Sequence, residues 1–250
     1  MDSIVEIIGL IVIGFIAGVI NTLAGGGSLL TLPILIFLGL PPNVANGTNR
    51  IAILFQNIFT TAGFKSKGVI TFPFSIYLGI SALIGSLIGS QVAVDINGDT
   101  FNKILAIIMV VIVFYMVFKP KTTLLNVVER TSGKYLWVSI FLFFFIGIYG
   151  GFIQAGVGFI ILLVLSSVNN LSLVKSNAVK VMVVLIYTVA SVAVFAYNDK
   201  IDWQMGLTLA AGNATGGWFA SRWSVSKGDG LVRKFLIVMV IILAIKLWFF

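Results

Sequence analysis

An all-α polytopic membrane fold, made of two inverted repeats that each contain a broken or re-entrant half-helix, is what this sequence predicts. Three observations lead there. The chain of 250 residues is 59% hydrophobic and only 10% charged, with a mean hydropathy of +1.13, whereas soluble domains are about a quarter charged. Apolar runs of membrane-spanning length follow one another along its length. Two shorter runs, each behind a glycine cluster, sit at matching places in the two halves.

The same composition excludes whole classes of function. At about 20 residues per span, little chain is left for an extramembrane domain, so a soluble enzyme is excluded. The net charge of +8 would suggest nucleic acid in a soluble protein. Here the basic residues lie in short loops between apolar runs, where they set orientation, and nucleic acid is not expected as a partner. Without Cys or His, disulfides, thiolate chemistry, imidazole-based zinc sites and His general bases all drop out, and no cofactor is expected. Met1, Asp2 and Ser3 lack a basic run, so no cleavable signal peptide is expected.

Ten apolar segments are expected, at 4–23, 28–39, 44–64, 72–94, 101–118, 135–153, 159–168, 175–197, 203–222 and 232–249. Segments 28–39 and 159–168 are too short for a hydrocarbon core of about 30 Å at about 1.5 Å per residue. Each follows a break, Ala24-Gly25-Gly26-Gly27-Ser28 or Gln154-Ala155-Gly156-Val157-Gly158, and each ends in a polar turn. They read as half-helices or re-entrant arms.

Sliding the chain by 131 residues superimposes Gly25 on Gly156, Gly27 on Gly158, Asn46 on Asn177, Gly85 on Gly216 and Ser90 on Ser221. The constant offset indicates duplication. It divides the chain into a first transmembrane repeat at 1–118, a linker at 119–134 and a second repeat at 135–250. Loop charge then orients the halves. The stretches 65–71, 119–134, 169–180 and 222–234 carry twelve Lys and Arg, and the opposite loops carry two. The positive-inside rule makes the first set cytoplasmic and leaves both termini outside. Segment 44–64 then runs inward and its mate 175–197 outward, so the repeats are inverted. That layout is common among secondary transporters, whose substrates bind between the halves near the midplane.

Candidate binding residues cluster at the breaks. Glycines there free backbone groups, which a membrane tolerates only beside protein or a water-filled cavity. The helix starts near Ser28 and Phe159 would approach from opposite sides, each offering unpaired N–H groups and a positive dipole end to an anion. Asn21 and Gln154 flank the breaks. Asn46, Asn49, Arg50, Gln56, Asn57 and Thr60 line one face of segment 44–64, as Asn177, Lys180, Tyr187, Thr188 and Ser191 do in its mate. Arg50 lies about 10 Å inside its helix, where a cation faces a cavity or partner or snorkels to the interface. No Asp or Glu lies in the middle of an apolar segment, so a carboxylate proton relay and intramembrane proteolysis have no carriers.

Gly25-Gly26-Gly27-Ser28-Leu29-Leu30-Thr31-Leu32-Pro33, followed by Ala45-Asn46-Gly47-Thr48-Asn49-Arg50, resembles the TauE/SafE-type sulfite exporter family of bacterial permeases over essentially the whole chain. The second half keeps the break as Gly156-Val157-Gly158-Phe159 but has Val179-Lys180 in place of the Thr-Asn pair. The resemblance implies transport of a sulfur-containing anion such as sulfite, thiosulfate or a sulfonate. It assigns Gly25, Gly26, Gly27, Ser28, Thr48, Asn49 and Arg50 to a first-repeat site. Together with Asn21, Gln56, Gln154, Gly156, Gly158, Asn177 and Lys180 from the residue patterns, these form the candidate substrate site. The expected protein is a permease of the bacterial cytoplasmic (inner) membrane, with a small anion and the lipid bilayer as partners and room for a homodimer. An anion channel and a non-transporting subunit of a membrane complex are the alternatives.

Overall fold

In the computed structural model, residues 4–118, 128–228, 230, 234 and 235 are described. Among them are nine long or half-length helices and no strand: α1 (Ile4–Leu23), α2 (Ser28–Phe37), α3 (Pro42–Lys65), α4 (Phe74–Asp95), α5 (Gly98–Phe118), α6 (Gly133–Phe152), α7 (Val157–Ser167), α8 (Leu173–Tyr197) and α9 (Trp203–Lys227). Most of the predicted segment 232–249 and most of the 119–134 linker lie outside the described residues. Helices α1, α4, α6 and α8 are long and apolar enough to cross a membrane. Helices α3 and α9 are just as long, at 24 and 25 residues, and carry polar stripes.

Local chemistry explains where the helices stop. Helix α1 ends because Gly25 takes φ +86°, a conformation that glycine adopts without steric cost. Its N–H returns to the carbonyls of Ile20 and Asn21. Helix α2 is only 10 residues long, and Gly39 at φ +96° ends it two residues before the expected boundary. Pro42 then opens α3, at the one helical position where a missing N–H costs nothing. In the second half Ile153 leaves α6 in an extended conformation, Tyr149 Oη donates to the Ala155 carbonyl at 2.6 Å, and Gly156 at φ +71° starts α7.

Small residues set the packing. A Cβ placed on Gly14, Gly18, Gly212 or Gly216 would stand 2.0–2.6 Å from a backbone oxygen across the α1–α9 contact. On Gly85, Gly89, Gly147 or Gly151 it would stand 1.9–2.3 Å from one across the α4–α6 contact. Backbones this close are the mark of glycine-mediated packing between membrane helices. In both pairs the contacts advance together along the two chains, so α1 runs parallel to α9 and α4 parallel to α6. Each half therefore lends its pre-break helix to a long helix of the other.

Helix α2 folds back along the start of α3. Thr31 Oγ1 donates to Asn49 Oδ1 at 2.7 Å, and Leu35 packs in one cluster with Ala45. Helices α3 and α8 run antiparallel: Phe64 clusters with Ala178 and Val181, while Gly47 abuts the Lys200 carbonyl and the Phe195 ring. Polarity is inside out. Ile8, Val12, Ile84, Phe141 and Phe219 are exposed, whereas Asn46, Asn49, Arg50, Gln56 and Thr60 are wholly buried. That distribution suits hydrocarbon outside and hydrogen-bonded polar groups within.

Candidate functional site: the paired helix breaks

The two glycine breaks meet in the interior. A Cβ on Gly25 would stand 2.4 Å from the Gly158 carbonyl carbon, and one on Gly26 would stand 2.6 Å from the Phe159 ring. Gly27 is pressed against the Ala17 carbonyl and Asn21 Cβ. Residues 22–29 and 153–159 are buried throughout. Among the described residues, no acceptor is found for the N–H groups of Gly26, Gly27 and Ser28, nor for those of Gln154 through Gly158. Unpaired N–H groups at two helix starts thus converge in a buried region.

The basic residues bind the other ends, the carboxyl termini of the pre-break helices, and each half serves the other. Arg50 on α3 donates to the carbonyls of Gly150 at 3.0 Å and Gly151 at 2.5 Å, at the end of α6. Its guanidinium also reaches Asn46 Oδ1, Gln154 Oε1 and the Phe152 carbonyl at 3.4–3.5 Å and lies 4.7 Å over the Phe195 ring. Lys180 on α8 donates to the carbonyls of Asn21 at 2.8 Å and Thr22 at 3.0 Å, at the end of α1, and to Asn177 Oδ1 at 2.6 Å. The paired amides act likewise: Asn46 donates to the Phe152 carbonyl and Asn177 to the Leu23 carbonyl. A cation and an amide one helical turn apart on each long helix therefore neutralise a negative dipole end.

Most of the sequence-predicted residues are brought together here. Asn21 donates to Gln56 Oε1, and Gln56 Nε2 reaches the Gly18 carbonyl and Thr22 Oγ1. Gln154 Nε2 donates to Tyr187 Oη at 2.9 Å. Ser28 is buried at the first turn of α2. Thr48 sits elsewhere: its hydroxyl accepts from the Asp202 N–H at 2.8 Å at the start of α9. Two donors in the region, Asn49 Nδ2 and Arg50 Nε, are buried and have no partner among the described residues.

The structure adds Thr31, Gly150, Gly151 and Phe195 to the site. Thr31 stands inside the motif 25–33, and its hydroxyl bridges to Asn49; the motif was the available signal. Gly150 and Gly151 act only through carbonyls, which leave no trace in side-chain patterning. Arg50 does not snorkel. It is fully enclosed.

A helical interior rich in polar groups, wrapped in apolar helices around two touching helix breaks, defines a multi-pass membrane protein of transporter type. The model of the family Sulfite exporter TauE/SafE matches residues 10–247, and the chain belongs to that family. It is 28% identical over 235 residues to a probable membrane transporter protein of Haemophilus influenzae, covering 94% of this chain and 91% of the relative. A probable membrane transporter protein (ORF9) of a Sinorhizobium species is 27% identical, over 95% of this chain and 90% of its own. The probable membrane transporter protein YfcA of Escherichia coli K12 is 25% identical, over 94% and 87%. No solved structure matches the chain.

Proposed function

We infer that the protein is a secondary transporter that exports a small sulfur-containing anion, such as sulfite, thiosulfate or a sulfonate, by alternating access. The observation that carries this reading is electrostatic. Arg50 and Lys180 are the buried charged residues among those described, and no carboxylate is buried with them. Helix-end carbonyls hold both cations, yet the interior keeps a net positive charge that an entering anion would balance. The unpaired N–H groups of both breaks, Asn49 Nδ2 and Arg50 Nε supply donors matched to an oxyanion. A tetrahedral or pyramidal oxyanion could take backbone N–H groups from α2 and α7 together, which draws the substrate to the seam between the halves.

In this reading residues 1–118 and 135–250 are inverted repeats, joined by a cytoplasmic linker at 119–134. The contact pattern supports it, because α3 and its mate α8 run antiparallel while α1–α9 and α4–α6 use equivalent glycine contacts. The protein sits in the cell inner membrane with both termini outside, and its partners are the substrate anion and the bilayer. A homodimer is compatible with it, and neither a cofactor nor nucleic acid is needed. The buried groups bind and orient an anion; none is arranged to make or break its bonds.

An inside-negative potential contributes about 2.3 kcal/mol per charge per 100 mV toward anion exit, which is roughly fifty-fold in concentration. Export of a monovalent anion therefore needs no coupling ion. The test is flux from liposomes clamped with potassium and valinomycin, at equal pH, across sulfite, thiosulfate, sulfate, taurine, sulfoacetate and chloride. Potential-dependent, saturable efflux of a sulfur anion with trans-stimulation is expected. Flux without trans-stimulation would identify a channel. Flux driven by a pH gradient and insensitive to potential would mean proton coupling.

A further inference from the structure

We propose that Lys180 and Arg50 are tethered cations occupying the oxygen cages that a coupling metal ion would otherwise fill, so that the transport cycle runs without Na+. In inverted-repeat transporters, the unwound carbonyls and carboxyl-terminal ends of broken helices are where Na+ is held. Here both such ends are already taken. The Lys180 ammonium has three N–H donors and finds three oxygens at 2.6–3.0 Å: the Asn21 and Thr22 carbonyls and Asn177 Oδ1. It is 2% exposed, and its donors are saturated. Two of those ligands are backbone and one is a neutral amide, a set that suits a hard monovalent cation as well as an ammonium. Arg50 fills the mirror position with the carbonyls of Gly150, Gly151 and Phe152 and with Asn46 Oδ1.

The placement has a consequence for the substrate. The positive charge that a co-transported cation would bring and remove in each cycle stays with the protein. The anion therefore moves alone, and its charge crosses the membrane uncompensated. This part rests on the transporter reading above; the ion cage itself does not.

Thermal unfolding of the purified full-length protein, in NaCl or choline chloride at constant ionic strength, tests the cage without any substrate. Wild type is expected to melt at the same temperature in both salts. Lys180→Ala empties the cage. It is expected to melt lower in choline and to be restored by Na+ in a saturable manner, by roughly 5–10 °C at saturation. Lys180→Met, which fills the space without charge, is expected to be destabilised and not restored. Adding Asn177→Ala to Lys180→Ala removes one of the three oxygens and is expected to abolish the restoration. A purely structural lysine would give no Na+-specific recovery.

A saturable Na+ response in wild type overturns the proposal, whatever the variants do. So does a Lys180→Ala protein indifferent to Na+. Failure to recover Lys180→Ala from membranes kept in NaCl throughout, while Lys180→Arg is recovered, overturns it as well. If Na+ restores Lys180→Ala but wild type moves no anion in liposomes, the cage stands and the transport reading falls. If potential drives anion flux in wild type but Na+ does not restore Lys180→Ala, the transport reading stands and the cage falls.

Discussion

Gly25 and Gly158 pack backbone against backbone where the two broken helices meet: a Cβ on Gly158 would stand 2.3 Å from the Gly25 Cα. The contact leaves no room for a methyl group on either side. It also holds the unpaired N–H groups of α2 and α7 close to one another, so one close approach sets both packing and donor geometry.

Gly158→Ala is expected to destabilise the protein by about 2 kcal/mol or more, since overpacking a tight core typically costs about 1–3 kcal/mol and the atoms opposed here are backbone. Gly25→Ala adds strain at φ +86°. Gly9→Ala, where nothing lies within 4 Å, is the control and leaves stability unchanged or slightly raised. Detergent-solubilised melting curves read all three. A Gly158→Ala protein as stable as Gly9→Ala would show that the breaks do not touch.

Arg50→Gln is expected to lose both transport and stability. The guanidinium binds carbonyls at the end of α6, and removing a group that satisfies buried polar atoms costs about 1–3 kcal/mol or more. Arg50→Lys keeps the charge but loses the planar fork, so it should recover part of the stability and less of the flux. Melting temperature and initial efflux rate separate the two losses. Wild-type flux in Arg50→Gln would remove Arg50 from the substrate path.

Thr48→Val is expected to lower stability by about 1 kcal/mol, the worth of one buried hydrogen bond, through the lost contact to the Asp202 N–H. The substrate concentration for half-maximal flux should not change. Ser28→Ala should act oppositely, with little change in melting but weaker anion binding at the first turn of α2. A shift in substrate affinity for Thr48→Val would bring that residue back into the site.

Cysteine placed at Ser66 or Asn126 in this Cys-free chain is expected to react with an impermeant maleimide only after the cells are opened. The 65–71 and 119–134 loops belong to the Lys/Arg-rich face. Labelling in intact cells would turn the topology over.

Much of the helical layout was legible because it follows from local chemistry. The apolar run 4–23 and α1 coincide, and the stripes on α3 and α8 face inward as their periodicity requires. The expected start of 159–168 is two residues late, because Gly156 caps α7 and lets Val157 and Gly158 join the helix. Asn46 and Asn177, paired by the 131-residue offset, do bind equivalent helix ends. The two cations do not obey that offset: Arg50 lies four residues after its Asn and Lys180 three. A common face, rather than a common register, relates them.

The sequence by itself determined that this chain is a bundle of membrane helices, that two are broken at glycines, and that its polar residues point inward. Composition and periodicity suffice for that: apolar runs of about 20 residues are helical spans, and hydrocarbon requires backbone polar groups to be paired within the protein. Only the tertiary structure decided what each inward residue meets. Periodicity states which face of a helix is polar but not which neighbour that face will find. That choice was made by glycine contacts that cross-pair α1 with α9 and α6 with α4. They carry the end of α6 to Arg50, a hundred residues earlier in the chain, and the end of α1 to Lys180. A separate contact, Gly206 of α9 against Ile51 of α3, hands Thr48 to Asp202 instead of to the breaks.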